Sequence, residues 1–340
     1  MEILSYCFRD GDGHVIKSLN ENLNMNPASN MKIISGYAVY KILGRGFNFK
    51  TRFIYKRNVL FVSGDPSFLM CYEDLKKVIK KLYYEGDIQD IEFSHIFDQE
   101  IYRKSWEIED MSNCYGAPVF PYTVNEGCIT DSGLPFNSHT ERGIPINKIR
   151  QVILDLSIDR SQNRGITSNI AYYNSSIEDI LRHIMVYSCN YNIELLTKYL
   201  SYMIDGIGTW NRSNGIIKKF LNDFYGENDV NIDDGSGLSV KNLVTTEFMS
   251  NFIRKINDTN PEFLRFLPAP GEGTLAKRFH NVKNFGIYAK TGTLFGTSFL
   301  SGISETKGIS FSIGINNSIS AENEREKLID DILIETLESL

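Results

Sequence analysis

No apolar run in these 340 residues approaches the roughly 18 that crossing a bilayer requires. The opening stretch, MEILSYCFRDGDGH, has no basic head followed by an apolar core, so no signal peptide is read there. The expectation is a cytoplasmic protein, or one whose leader lies outside this sequence. Cysteine is scarce: Cys7, Cys71, Cys114, Cys128 and Cys189 are all there is. The count is odd and no spacing suits a metal, which argues against a disulfide scaffold or a zinc module. Reduced thiols are expected, with a Cys114–Cys128 bridge open only to an exported chain. Basic runs and aromatic–basic stripes are missing too. With a net charge of -6, nucleic acid is not an expected partner. The histidines, His14, His95, His139, His183 and His280, have no ligand spacing and no nucleophile-elbow context. Neither a metal centre nor a Ser-His-Asp set is read. Gly271-Glu-Gly273 lacks the strand, helix and lysine of a phosphate loop. No cofactor is expected.

What remains is an ordinary globular balance, with 42% hydrophobic and 23% charged residues. At roughly 100–200 residues per domain, the length fits two domains, or one with an insertion. Two short strands, 3–8 and 13–18, flank Asp10-Gly11-Asp12-Gly13, a hairpin signal. A polar loop leads through Pro27 to a largely buried helix over Ser29–Leu43, with Gly44 as its C-terminal cap. Strands follow within 52–63, then an amphipathic helix over Asp74–Tyr84. The region from 88 to 165 is mixed and is read as part of an inserted domain. Helices are predicted near 176–187, 192–205, 214–224 and 245–257, and strands near 285–291, 297–304 and 308–316. An amphipathic surface helix closes the chain. Strands at both ends with helices between predict an α+β fold, one sheet of N- and C-terminal strands packed on helices.

Three short motifs carry the chemistry. Ser29-Asn30-Met31-Lys32 opens a helix, where a spacing of three places both side chains on one face. A serine hydroxyl needs a base to become a nucleophile, and a lysine of depressed pKa is one. The helix start adds N–H groups for an oxyanion. Ser304-Glu-Thr-Lys307 also matches, but in a polar turn. Ser188-Cys189-Asn190 lies at a helix–helix junction. Ser18-Leu-Asn20 and Ser161-Gln-Asn163 match the same pattern without that context. Lys290-Thr291-Gly292-Thr293 ends a predicted strand, where glycine admits a close backbone, lysine attracts a carboxylate and threonine hydroxyls bond it. Each motif alone is weak; together and in order they form the S-x-x-K, S-x-N, K-T-G signature of penicillin-binding proteins and class A β-lactamases.

The chain also resembles the low-molecular-mass class C penicillin-binding proteins, D-Ala-D-Ala carboxypeptidases and endopeptidases, over most of its length. NPASNMKIISGYAVYKILG, SCN followed by YNIELL, DGSGLS at 234–239, LPAPGEGTLAKRF, YAKTGTLFGTSFLSG and ISFSIGINN carry the likeness. SGDPSF and DMSNCYGAPVFPYTVNEGC resemble the insertion of that family. The resemblance implies a β-lactamase/transpeptidase-like α/β/α sandwich, with a catalytic domain of 1–51 and 166–340 and an accessory domain of 52–165. It implies that Ser29 is acylated, Lys32 is its base and Ser188 relays a proton to the leaving amine. Asn190 then binds the acyl side, and Lys290, Thr291, Gly292 and Thr293 bind the terminal carboxylate. Ser29 and Thr293 supply oxyanion N–H groups. The implied partners are a peptide ending in D-alanine and β-lactams as covalent inhibitors. The family works outside the cytoplasmic membrane. Cys189 stands where aspartate is usual, and is read as a buried thiol; Asp234 is read as shaping a loop. A related esterase, D-aminopeptidase or β-lactamase, and a non-catalytic penicillin-binding module, stay open as alternatives.

Overall fold

The computed structural model describes residues 2–82, 88–111, 113–127 and 168–340. In chain order its elements are β1 (Ile3–Arg9), β2 (Val15–Leu19), α1 (Met31–Leu43), β3 (Asn48–Lys56), β4 (Val59–Gly64), α2 (Tyr72–Lys80), β5 (Asp90–Phe93), α3 (Ile108–Met111), β6 (Ile170–Ser176), α4 (Ile177–Tyr187), α5 (Asn190–Asp205), α6 (Trp210–Phe224), α7 (Thr246–Thr259), α8 (Pro261–Leu264), β7 (Ile287–Leu294), β8 (Thr297–Ser304), β9 (Ile309–Asn316) and α9 (Glu322–Glu338). No described helix is long and apolar enough to cross a membrane. Contacts divide the chain into two compact units. The first holds Met1–Ile42, Leu181–Ile193 and Asn214–Leu340; the second holds Leu43–Ile180 and Glu194–Ser213.

The first unit is built on a five-stranded antiparallel sheet in the order β2-β1-β9-β8-β7. Strands from the two ends of the chain thus form one sheet, as their pattern predicts. Side chains alternate across a strand, and β9 shows what the sequence does with this. Phe311, Ile313 and Ile315 enter the core with Ile329, Leu333 and Leu337 of α9. The opposite face carries Ser310, Ser312 and Gly314. Ser5, the register partner of Gly314, shares a 2.7 Å hydrogen bond with Thr246 of α7. One face is therefore bulky and takes α9, while the other is small and lets α7 approach. Helix–sheet–helix layering follows from that asymmetry. β7 ends the sheet, so one of its edges is not covered by a strand of this sheet.

The second unit holds a four-stranded sheet in the order β5-β4-β3-β6. β3 and β4 form a hairpin through Arg57 and Asn58, both at positive φ (50° and 63°), the backbone that a two-residue hairpin needs. Phe53, Leu60, Val62, Leu75, Ile79 and Ile91 belong to its core. β6 is absent from the sequence prediction. It is an edge strand in which only Ala171 is buried, so its apolar alternation is too weak to read. Residues 128–167, which hold the second half of the region read as mixed, lie outside the described residues. Cys114 is disulfide-bonded; Cys128, its candidate partner, also lies outside them.

Candidate active site

The site starts where α1 starts. Pro27 leads into a single 3-10 turn, Ala28–Asn30, that runs directly into α1. Ala28 sits at φ 46°, a left-handed backbone costly for a residue with a Cβ. The strain lies next to Ser29, which is half-buried. One turn on, Lys32 is fully buried. Its Nζ donates to Ser29 Oγ at 2.8 Å, to Asn190 Oδ1 at 2.6 Å and to the Ser236 carbonyl at 2.7 Å. Three acceptors satisfy the three protons of an ammonium. Among these partners only the Ser29 hydroxyl brings a proton of its own. A neutral Lys32 reverses that contact and accepts from Ser29, the polarity a base requires.

Two glycines pack against the turn that carries Ser29. A Cβ on Gly292 would lie 2.7 Å from the Pro27 carbonyl and 3.0 Å from the Ser29 nitrogen. A Cβ on Gly237, which has φ +82°, would lie 1.8 Å from the Ala28 carbonyl. Any side chain at either place would push the turn away. The loop that delivers Gly237 and the Ser236 carbonyl is organised by Asp234. Its buried carboxylate accepts from the N–H groups of Gly237 and Ser239 and from Asn242 Nδ2, each at 2.7 Å. Asp234 shapes the loop, as expected. The Ser236 carbonyl is the contributor that sequence reasoning missed. Every residue has a carbonyl, so only the Gly-Ser-Gly context could have pointed to it.

The second motif lies between α4 and α5. Ser188 has φ 58°, which breaks the helical run and leaves its side chain half-buried. Asn190, nearly fully buried, begins α5 and meets Lys32. Cys189 is buried, and its Sγ accepts from the Asn192 backbone N–H and amide at 3.4 Å each. The unusual residue thus acts as a cap on the start of α5.

The third motif occupies the end of β7, which runs one residue further, to Leu294. Lys290 is fully buried and donates to Ser188 Oγ at 2.9 Å and to the Thr291 carbonyl at 2.8 Å. Burial, and then the Lys32 charge, hold its amine well below the usual lysine range. Thr291 and Gly292 are buried, and Thr293 is open to solvent. Direct contacts bring together six of the eight predicted residues, with Gly292 against the Ser29 turn. Ser29, Lys32 and Asn190 make one cluster, Ser188 and Lys290 a second, and β7 runs beside the nucleophile turn. Such a group can move a proton off a hydroxyl, carry one to a leaving group and receive a carboxylate.

This α+β arrangement, a terminal-strand sheet with the nucleophile turn at its edge, is that of penicillin-binding folds. Penicillin binding protein 4 of Haemophilus influenzae superposes with a TM-score of 0.74 at 16% identity, covering 94% of this chain and 92% of that one. A predatory peptidoglycan endopeptidase of Bdellovibrio bacteriovorus superposes with a TM-score of 0.64 at 15% identity, covering 100% and 93%. The D-alanyl-D-alanine carboxypeptidase of Actinomadura sp. (strain R39) is 31% identical over 134 residues, 36% of this chain and 25% of that protein. The chain thus spans a quarter of the length of this curated relative. The chain belongs to the D-Ala-D-Ala carboxypeptidase 3 (S13) family, whose sequence model matches residues 9–153 and 154–336.

Proposed function

We propose that the chain is a serine-type D-Ala-D-Ala carboxypeptidase and endopeptidase that acts on cell-wall peptides through a Ser29 acyl-enzyme. The observation that carries this reading is the 2.8 Å contact between Ser29 Oγ and a buried Lys32 amine. Lys32 Nζ takes the Ser29 proton as Oγ attacks the carbonyl of the penultimate D-alanine. The oxyanion is received by the N–H groups of Ser29 and Thr293. A single donor of that kind contributes about 10²–10³ in rate. As the C–N bond breaks, Ser188, hydrogen-bonded to Lys290, relays to the departing amine the proton that Lys32 took from Ser29, which leaves Lys32 neutral again. Asn190 holds the acyl side. Lys290, Thr291 and Thr293 hold the carboxylate of the leaving residue, with Gly292 letting its backbone approach. Water then attacks the ester, its proton goes back through Lys32, and Ser29 is restored. In this reading residues 1–51 and 166–340 are the catalytic domain and 52–165 the accessory domain.

β-Lactams would acylate the same serine, since their strained amide and carboxylate mimic the scissile bond and the leaving-side anion. A Bdellovibrio relative of the same fold, with a TM-score of 0.62 to this chain, was solved acylated by penicillin G. The test is intact mass and peptide mapping after exposure to a fluorescent penicillin. One adduct on Ser29 is expected, and Ser29→Ala should lose the label and at least about 10⁴-fold in peptide turnover. Labelling of the Ser29→Ala protein as strong as wild type would refute the assignment.

A further inference from the structure

Ala28 sits in a left-handed backbone, which a residue with a Cβ keeps only where its surroundings impose it. A pair of asparagines that the steps above do not use imposes it here. Asn26 Oδ1 accepts from the Ala28 N–H at 2.8 Å. A side chain that bonds the backbone two residues on closes an Asx turn, and this one closes on the strained residue itself. Asn26 is in turn gripped by Asn316, the last residue of β9. Asn316 Oδ1 accepts from the Asn26 N–H at 2.7 Å, and its Nδ2 donates to the Asn26 carbonyl at 3.1 Å. One amide thus pairs with both backbone groups of one residue, as a neighbouring strand would. Only Asn and Gln side chains offer a donor and an acceptor in that form. Asn316 is 8% exposed, so water does not readily replace these bonds. The preceding residue is held by main chain: Met25 N–H donates to the Val244 carbonyl at 2.8 Å, and Val244 N–H to the Met25 carbonyl at 2.9 Å.

Strand register ties this clamp to the third motif. Gly292 pairs with Phe299, and Phe299 with Gly314, so the three share a row on one face of the sheet. Asn316 lies two residues beyond Gly314, on the same face. That face therefore meets the nucleophile turn twice, through Gly292 beside the Ser29 nitrogen and through Asn316 on Asn26. Together the two contacts fix Ser29 relative to β7.

We propose that Asn26 and Asn316 are positioning residues for the reaction. Their hydrogen bonds, running from β9 to Ala28, set the Ser29 hydroxyl and N–H against β7. In this role neither side chain touches substrate. Losing the clamp leaves the residues that hold the substrate in place, so acylation slows while reversible binding persists. The proposal rests on the acyl-serine reading, and the experiment separates the two.

Rapid labelling with a fluorescent penicillin gives the acylation rate constant apart from the dissociation constant of the reversible complex. Asn26→Ala should slow acylation about tenfold, the scale of one hydrogen bond. Asn316→Leu, which removes two, should slow it about 30–100-fold. Reversible binding should change by less than about twofold in both. Asn26→Asp keeps the acceptor and should recover most of the rate. Amide exchange at Ala28 should quicken about tenfold or more in Asn26→Ala and return in Asn26→Asp, while amides inside β9 stay protected. A merely structural role would lower the unfolding midpoint and the labelled fraction but leave the rate constant of folded molecules unchanged. That result, with wild type still labelled at Ser29, would overturn the proposal. So would an Ala28 amide that stays protected in Asn26→Ala. If wild type takes no label and cuts no peptide, the peptidase reading itself falls, and this role with it.

Discussion

At the scale of single residues, the site was legible where chemistry restricts the choice of side chain. A nucleophile, an amine one turn away and a carboxylate-binding strand demand particular residues, so Ser29, Lys32 and the Lys290 strand stand out in the sequence. What could not be read is what any residue could supply, such as the Ser236 carbonyl on Lys32. Gly237 is the sharpest test of the geometry. Gly237→Ala places a methyl 1.8 Å from the Ala28 carbonyl at a φ that alanine rarely adopts. It should destabilise the protein by about 3 kcal/mol or more and slow penicillin acylation; denaturant midpoints and labelling rates measure both. Lys290 makes a pH-dependent prediction. Burial holds its folded value well below the ordinary lysine value of 10.5. Between those values the unfolded chain binds more protons than the folded one, so stability rises with pH across that window. Below it the full cost of burying the charge remains. Urea midpoints of wild type and Lys290→Met, followed from about neutral pH to about pH 10, should differ most at the low end and converge as pH rises. A pH-independent gap would show that Lys290 does not carry that cost.

At the scale of elements, periodicity placed the long helices and the three C-terminal strands, because each has a strong apolar side or a fully buried run. It failed at β5 and β6, four and seven residues long. These strands depend on pairing with β4 and β3 for their backbone bonds, and little apolar patterning marks them. It also stopped β7 too early, since a Thr-Gly-Thr run looks like a strand end unless a helix turn packs against it. The helices hold two kinds of glycine. Gly36 in α1 faces Met185, whose side chain a Cβ would approach to 2.6 Å, while Gly215 in α6 has nothing within 4 Å. Gly215→Ala should therefore stabilise by about 0.5–1 kcal/mol. Gly36→Ala should gain nothing or lose stability, with thermal denaturation of the two variants as the comparison.

At the scale of the whole molecule, the two compact units offer separate reporters. The candidate site lies wholly within the first unit, so the proposed acylation would report on that unit. The protein's two tryptophans, Trp106 and Trp210, both belong to the second. Within it, buried Arg103 binds Glu194 at 2.7 Å and stacks over the Trp210 ring at 4.9 Å, while Lys198 lies 4.1 Å from the same ring. Removing one partner of a buried ion pair costs about 3–5 kcal/mol. Glu194→Ala should thus shift the tryptophan-fluorescence unfolding midpoint downward by an amount of that order. An unchanged midpoint would show that the pair contributes little. The segment 52–165 forms only part of this second unit, which runs over Leu43–Ile180 and Glu194–Ser213 and so adds 43–51, 166–180 and 194–213. The extra pieces are invisible to composition, since β3 and α5 look like any strand and helix until their partners are known.

The nucleophile turn is made within the first tenth of the chain, but Gly237 and Gly292, which clasp it, arrive only in the last third. A ribosome therefore makes most of this protein before the Ser29 turn meets the two glycines that pack on it and before Lys32 meets Asn190 and the Ser236 carbonyl. In the proposed acyl-serine reading the growing chain would pass through synthesis chemically inert, and a β-lactam would label only molecules that have finished folding. Such a label would double as a count of completed copies.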